Sequence, residues 1–513
     1  MEYLLSIIIF TPLVGACLIL LTPNTLATVT KTIAVLTTAI VFALILFLYY
    51  GFATNFTQAP DYLQAFLPYD MQTFTEYKWI STFNMYYRLG VDGLSMVMLL
   101  LTGFLFFLAA FIAISIKKRL RIFFALYLLL LCSVLGIFVS LDLLLFYAFW
   151  MVMLIATYFL IGIWGGENKA PAATKFLVFM SVSSVLIFTV ILVIYFKMVS
   201  LGLGGAALNI PEIIATQPFT NLSSDAAENY NYIAFILFWM LFIGFAIKMS
   251  VFPFHVWLPA AHVQAHTATS VVIAGVSLKI GSYGLLRLNI PIFREIVALE
   301  WVMFILALLG VITIIYGLFC AMGQKDLKSL IAYSSMSLMG YVMLGIATLS
   351  SIGINGAIFQ MLAHALSVAL MFALADILQK RAHHREINRL GGLAAQMPIC
   401  FTIALIGFFA FLGMPALCGF VGEILVLIGA FSFNESLAIV ATCGAAIAAS
   451  YILYTLQRVF FGDKKEEFCD FKDCSRTELL YLVPLAGACI VFGVFPNLLV
   501  RIYFESIGFI LGN

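Results

Sequence analysis

Apolar residues arrive along this chain in blocks of about twenty, the length a helix needs to cross a hydrocarbon core, and polar residues gather in the short breaks between the blocks. The blocks fall near 4–22, 29–51, 91–114, 122–140, 142–164, 172–199, 232–252, 264–289, 296–320, 328–348, 352–378, 398–430, 436–461 and 478–498. About fourteen spanning helices are therefore predicted, in an all-α polytopic membrane protein. The sequence runs into its first block with neither a basic stretch nor an A-x-A-like site ahead of it, so a retained first helix is expected rather than a cleaved signal.

Two blocks are interrupted. "IKMSVFPFHVWLP" places Pro253 and Pro259 shortly after Lys248, and "FLGMPALCGFVGEILVL" places Gly413 and Pro415 ahead of Glu423. Proline removes a backbone donor and clashes with the preceding turn. Such a break persists at membrane depth only where it faces protein or a polar cavity, and breaks at matching places in two halves point to a transport site. They fall in the seventh and twelfth blocks, five apart. Two five-helix repeats are predicted, 122–289 and 296–461, inverted because each holds an odd number of helices, with an N-terminal unit 1–121 and a C-terminal unit 462–513.

Composition narrows the class. Of 513 residues, 64% are hydrophobic and only 10% charged, at a mean hydropathy of +1.12, which excludes a water-soluble domain of this length. A net charge of +2 leaves no footprint for nucleic acid. The charges sort by side: "KKRLR" (117–121), "ENKAPAATK" (167–175), "GQKDLK" (323–328), "KRAHHREINR" (380–389) and "DKKEEFCDFKDCSR" (463–476) share one face if both termini lie on the other. That face is cytoplasmic, or the matrix in an organelle, by the positive-inside rule, and the loop 200–231 opposite carries no Lys or Arg. Most cysteines stand singly in apolar runs; Cys469 and Cys474 share a polar loop without a histidine or second pair, a poor metal site.

Against this background four ionisable residues inside blocks stand out: Lys248, Lys279, His364 and Glu423. Each costs about 2.5 to 3.5 kcal/mol at mid-helix, so each is a functional candidate. The rival readings are structural: an ion pair for Lys279, snorkelling to water for Lys248, helix packing for His364, a local hydrogen bond for Glu423. Apolar surroundings push amines and carboxyls towards neutrality, and a proton relay requires groups of that kind.

At these residues the sequence resembles a family. "YRLGVDGLSM" (87–96), "IKMSVFPFHVWLPAAHVQAHTATSVVIAGVSLKIGSYGLLR" (247–287), "DLKSLIAYSSMSLMGYVMLG" (326–345) and "GMPALCGFVGEILVLIGAF" (413–431) are similar to the antiporter-like membrane subunits of respiratory complex I, in the branch called subunit M or, in mitochondria, chain 4. The resemblance implies a central hydrophilic axis carrying protons, with Lys248 on the broken seventh helix, Lys279 on the eighth, Glu423 on the twelfth and His364 near the path. Lys175 fits the family's sixth-helix "AA-x-KF" pattern, and Pro253, Gly413, Pro415 and His266 would support the site. It further implies further antiporter-like subunits as partners and a lipid bilayer around the chain, in a bacterial inner membrane ahead of a mitochondrial one. No cofactor is expected in this chain; NADH, FMN, iron–sulfur clusters and quinone belong to partner subunits. With no G-x-G-x-x-G after a strand and no cysteine cluster, the chain offers these groups no recognisable seat.

Five departures from the family pattern matter. Met151 stands where the fifth helix usually carries the glutamate that pairs with the lysine at 248; Leu338 replaces the histidine of "SxSHMG"; and Ala260 and Gln264, with His266, replace Asp, Glu and Pro in "WLPDAHVEAPTAGS". Asp142 cannot substitute for the missing glutamate, because nine residues along a helix is about 13.5 Å. If another titratable group compensates for it, the unusual His266 is the candidate the sequence offers. Two rival functions stay open: a subunit of a multi-subunit Na+/H+ antiporter or related energy-converting complex, and a structural spacer that has lost part of its relay.

Overall fold

With no water in the hydrocarbon core, each backbone N–H and C=O must be satisfied within the chain, and helices answer that requirement block by block. The computed structural model describes residues 3–54, 72–80, 85–205, 207–220, 232–462 and 471–511. Its helices are α1 (Leu4–Leu21), α2 (Ala27–Thr54), α3 (Gly93–Ala113), α4 (Leu120–Val139), α5 (Leu143–Trp164), α6 (Lys169–Ser200), α7a (Tyr232–Met249) and α7b (Trp257–Gln264). They continue with α8 (Thr267–Ile292), α9 (Glu300–Met322), α10 (Leu327–Ala347), α11 (Ser351–Ala382), α12a (Pro398–Leu412), α12b (Cys418–Phe433), α13 (Glu435–Phe460), α14 (Arg476–Val494) and α15 (Asn497–Leu511). Thirteen are long and apolar enough to cross a membrane, and the split twelfth brings the spans to the fourteen expected. Both breaks lie where proline and glycine put them: Pro253 falls between α7a and α7b, and Gly413 and Pro415 between α12a and α12b.

The spans differ sharply in what they face. α8 and α11 are buried along their length and α10 nearly so, whereas α1, α2 and α14 turn most of their surface outward. Small residues let the inner helices approach; a Cβ on Gly310 would lie 2.9 Å from the Leu344 nitrogen, so α9 and α10 meet backbone to backbone there. Hydrogen bonds gather the charged breaks at one face. Trp164 Nε1 donates to the Lys118 carbonyl (2.7 Å), Gly166 N to Gln264 O (2.8 Å), and Leu327 N to Arg385 O (3.0 Å). Arg381 pairs with Glu478 at 2.7 Å, joining the described end of the 463–476 segment to that face; Cys469 lies outside the described residues.

Two elements escape the hydropathy pattern. A hairpin of β1 (Gln72–Ile80) and β2 (Met85–Val91) precedes α3, held by the cross-strand pair Glu76 and Arg88 (2.7 Å). The amphipathic α15 packs Tyr503, Ile507 and Ile510 inward while Leu498 and Phe504 stay exposed. Ser506 Oγ accepts from Leu94 N (3.2 Å), and Gly93 has no room for a Cβ beneath the Ile502 carbonyl. Aspartates open α5 and α10, the second helix of each five-helix set expected from the sequence: Asp142 caps Leu144 and Leu145, and Asp326 caps Ser329. Asp142 bridges to Asn209 and Asp326 to Glu386, each the segment after the following helix, at opposite ends of the bundle.

Where β2 meets α3, a buried ion pair locks α8 in place. Arg287 Nη1 lies 2.6 Å from Asp92 Oδ2, both nearly inaccessible, while Asp92 Oδ1 caps Ser95 and Ser95 Oγ meets the Tyr283 hydroxyl at 3.0 Å. Removing one partner of a buried pair strands the other charge, at a cost of about 3–5 kcal/mol, whereas replacing both is far milder. Arg287→Met is therefore expected to lower the thermal midpoint of the purified chain steeply. Adding Asp92→Asn, which keeps a capping oxygen, should restore much of the loss; a double variant as unstable as the single one would remove the pair from this role.

Candidate functional site

Lys279 sits at the centre of the bundle on a helix that is not regular there. α8 widens into π-helical turns at Ile273–Ser277 and Leu285–Asn289, one on each side of the α-helical Leu278–Gly284. Such turns shift carbonyls out of the α ladder, and Lys279 Nζ donates to one of them, Ala274 O, at 2.7 Å. The second partner of Nζ is His364 Nδ1 on α11, 2.6 Å away, and His364 Nε2 lies 2.8 Å from Ser335 Oγ on α10. All three side chains are buried. When the ammonium donates to Nδ1, the neutral imidazole carries its hydrogen on Nε2 and donates it to Ser335. Moving one proton from Nζ to Nδ1 transfers the positive charge from α8 to α11 without moving either helix.

Beyond Ser335 the polar line thins. A narrow cavity is lined by Ser334, Ser337, Leu338, Tyr341, Tyr451 and Glu423, with an interior of about 10 Å³ open to water centres, room for about one water. Ser334 Oγ meets the Tyr451 hydroxyl at 2.7 Å, and Ser337 Oγ has no hydrogen-bond partner among the described residues. Leu338 fills wall where the family pattern has an imidazole. Glu423, on the first turns of α12b, is buried and takes a hydrogen bond from the Gln360 side chain. The helix break makes its space: Gly413 has a left-handed backbone (φ 78°), and a Cβ there would stand 2.5 Å from Glu423 Oε2.

Lys248, at the end of α7a, is fully buried and has no hydrogen-bond or ion-pair partner among the described residues. Its ammonium lies 5.9 Å from the Trp150 ring centroid and 5.7 Å from that of Phe176, a seat between two ring faces. Trp150 is held in turn by its Nε1 hydrogen donated to Ser184 Oγ (3.0 Å). Met151 is half-buried among apolar neighbours, and Asp142 caps the far end of the same helix. Lys175 is exposed on α6, one residue from the buried Phe176, and so faces away from this interior.

His266 lies elsewhere again. Its Nδ1 caps α8 by accepting from Ala268 N (3.3 Å), its ring edge meets Phe123, and the charges that act on it belong to Asp376, Lys328 and Lys380 rather than to Lys248. Burial holds its pKa well below the usual imidazole range, which keeps Nδ1 free to accept. The side chains around it were not singled out from the sequence. Lys328 Nζ donates to Thr267 Oγ1 (3.1 Å), Thr267 Oγ1 to Asp376 Oδ1 (2.6 Å), and Lys380 pairs with Asp376 Oδ2 (2.6 Å). Lys328, Thr267 and Asp376 line a polar vestibule of about 680 Å³ at the charged face. His262 on α7b lies within reach of the charges of both Lys328 and Lys279, stacked on Phe372, with neither ring nitrogen hydrogen-bonded among the described residues.

Residues 140–448 match the family described as "NADH:quinone oxidoreductase/Mrp antiporter, TM". NADH-quinone oxidoreductase subunit M of Rickettsia typhi is 35% identical over 513 residues, covering 98% of both chains, and that of Rhodobacter capsulatus is 34% identical over all of this chain and 97% of its own. F(420)H(2) dehydrogenase subunit M of Methanosarcina mazei is 34% identical over 87% of this chain and 90% of its own. Among solved structures, a chain of respiratory complex I from Thermus thermophilus superposes with a TM-score of 0.83 at 28% identity, covering 99% of this chain and all of that one. A chain of the Mrp complex from Dietzia, at 18% identity and a TM-score of 0.82, shares the fold. This chain belongs to the NADH:quinone oxidoreductase/Mrp antiporter membrane family.

Proposed function

We propose that the chain is a proton-carrying membrane-arm subunit of a complex I type NADH:quinone oxidoreductase, acting as a translocase part without a redox group of its own. The carrying observation is the buried line Lys279–His364–Ser335, in which each neighbour is within hydrogen-bond distance across three helices. A structural ion pair would give Lys279 a carboxylate; it has an imidazole instead, which can take a proton at Nδ1 and release one from Nε2. From the vestibule a proton reaches Lys328 and Asp376, then His262, then the Lys279–His364 pair. From there it passes by Ser335 and a water in the narrow cavity to Glu423. His262, with both nitrogens unbonded and two lysines within reach, is the joint between inlet and centre. The repeats 122–289 and 296–461 supply the two broken helices, and the matching aspartate caps of α5 and α10 support reading them as an inverted pair.

Electrons would travel in partner subunits that hold NADH, FMN, iron–sulfur clusters and quinone. The relatives support this division: proteins about equally similar to this chain are named for NADH, NAD(P)H and F(420)H(2), so the electron donor varies while this architecture does not. Copurification with NADH- and quinone-reactive subunits tests the assignment, and small membrane partners alone would favour the cation/proton antiporter reading.

Lys279→Met removes the central proton site while keeping length and apolar contacts. Assembled complex is expected to lose proton pumping and coupled quinone reductase activity by about tenfold or more, and wild-type pumping would reject the relay. Glu423→Gln keeps the hydrogen bond to Gln360 but not the proton site, so both rates should fall. An unchanged rate in coupled and uncoupled membranes would make Glu423 structural. For Lys248 the expectation separates two sites: Met151→Glu adds a carboxylate beside the aromatic seat and should change protons pumped per NADH. His266→Pro alters only the vestibule side and should leave the response to Met151→Glu intact; a response lost in the double variant would link His266 to Lys248 after all.

A further inference from the structure

A second cavity lies on the charged face, away from the proposed relay. It encloses about 630 Å³ between the end of α1, the start of α2 and the α3–α4 turn, and four basic side chains line it: Lys31, Lys117, Arg119 and Arg121. No carboxylate lines it, and none of the four forms an ion pair among the described residues. Four like charges converging without a counterion repel one another, and an anion held between them would relieve that repulsion. Arg121 forms the fixed floor, donating Nη1 to Asn24 Oδ1 (2.9 Å) and Nη2 to Leu20 O (2.6 Å), which ties α4 to α1. Arg119 precedes α4 in a left-handed backbone (φ 49°) and offers no side-chain cap, so the first N–H groups of this 20-residue helix open onto the cavity uncapped. A helix N-terminus with free donors favours an anion on its own account.

The surroundings say which anion. Trp164, which donates to the Lys118 carbonyl, also lines the vestibule, so the cavity shares the depth of the charged face, where headgroups lie. Apolar residues rim it too: Ala27, Ile116, Leu120 and Ile122 share the lining with the basic side chains, and Ile122 is 45% exposed. A free phosphate would use the charges and leave that rim idle, whereas a phospholipid uses both. We propose that this cavity binds the headgroup phosphate of an anionic phospholipid, with the acyl chains lying along α1, α2 and α4. The lysines supply point charges, and the α4 N-terminus supplies directed hydrogen bonds to phosphate oxygens.

Native mass spectrometry of the purified full-length chain, titrated with phosphatidylglycerol, phosphatidylethanolamine or inorganic phosphate, tests this. One tightly held phosphatidylglycerol is expected, weakened by salt and displaced by neither competitor at equal concentration. Removing two charges with Lys117→Ala and Arg119→Ala should weaken it on the order of thirtyfold. The charge-conserving Lys117→Arg and Arg119→Lys pair should retain it, as should Lys197→Ala at the opposite face. Unchanged affinity in the alanine pair, an equal loss in Lys197→Ala, or displacement by inorganic phosphate would each overturn the lipid assignment. Loss of binding in the charge-conserving pair would do the same, since it would point to shape rather than charge.

Discussion

An ammonium, an imidazole and a hydroxyl share the driest part of this bundle, and the arrangement of the helices follows from keeping them hydrogen-bonded there. An isolated buried amine is costly, so Lys279 must find partners within its own helix and across to α11. The first comes from the π-helical turn at Ile273–Ser277, which presents the Ala274 carbonyl, and the second from His364. Both depend on α8 being pinned along its length, which the buried Arg287–Asp92 pair does at one end and the Thr267–Asp376 hydrogen bond at the other. The irregular helix and its two anchors are thus consequences of one buried charge.

Helix breaks solve the same problem for a carboxyl. Glu423 cannot lie against a continuous helix, because the space beside it would be filled by side chains from the preceding turn. Ending α12a at Leu412, with Gly413 in a left-handed conformation and no Cβ, leaves room for the carboxyl group itself. At the seventh helix the break leaves Lys248 between Trp150 and Phe176. Ring faces stabilise a cation by an amount of order 1–2 kcal/mol when desolvated, less than a buried ion pair would. Met151 therefore gives a weaker hold on the charge at Lys248 than a carboxylate, and a weaker hold is easier to switch.

Much of this was legible in the sequence because lipid makes the code simple. Fourteen apolar blocks, two proline breaks and the four ionisable residues singled out within blocks have no cheap alternative explanation in a hydrocarbon solvent, and Lys279 and His364 proved to be neighbours. Lys328 was hidden by its position: "GQKDLK" reads as a loop with solvated charges, and only the fold shows that its last lysine turns inward to Thr267. Asp376 and Lys380 look like an ordinary surface pair at helical spacing, yet the aspartate is buried and the lysine half-exposed. His262 stands in a stretch dominated by Pro253 and Pro259, where local pattern gives no hint of its depth. Lys175 shows the opposite failure. It fits a sequence pattern and still points outward, because a pattern fixes a position along a helix but not the face that packing will choose. The hairpin and α15 escaped for a third reason: both answer to interfacial contacts such as Gly93 beneath Ile502, which hydropathy does not register.

The Leu338 position joins these threads. An imidazole there would complete a line of titratable groups from Lys279 to Glu423; the leucine leaves Ser334, Ser337 and Tyr451 around a space sized for about one water. Hydroxyls pass a proton only by reorienting, and a single water must enter and turn before the next transfer. In the proposed relay the step between His364 and Glu423 would therefore depend on hydration of a very small cavity, whereas the proposed inlet opens from a vestibule of about 680 Å³. A path that is wide at one end, continuously bonded at the centre and narrow at the other has its control point at the narrow end. On the proposed relay that point lies beside the α12 break, where Gly413, without a Cβ, leaves the space that the Glu423 carboxyl occupies.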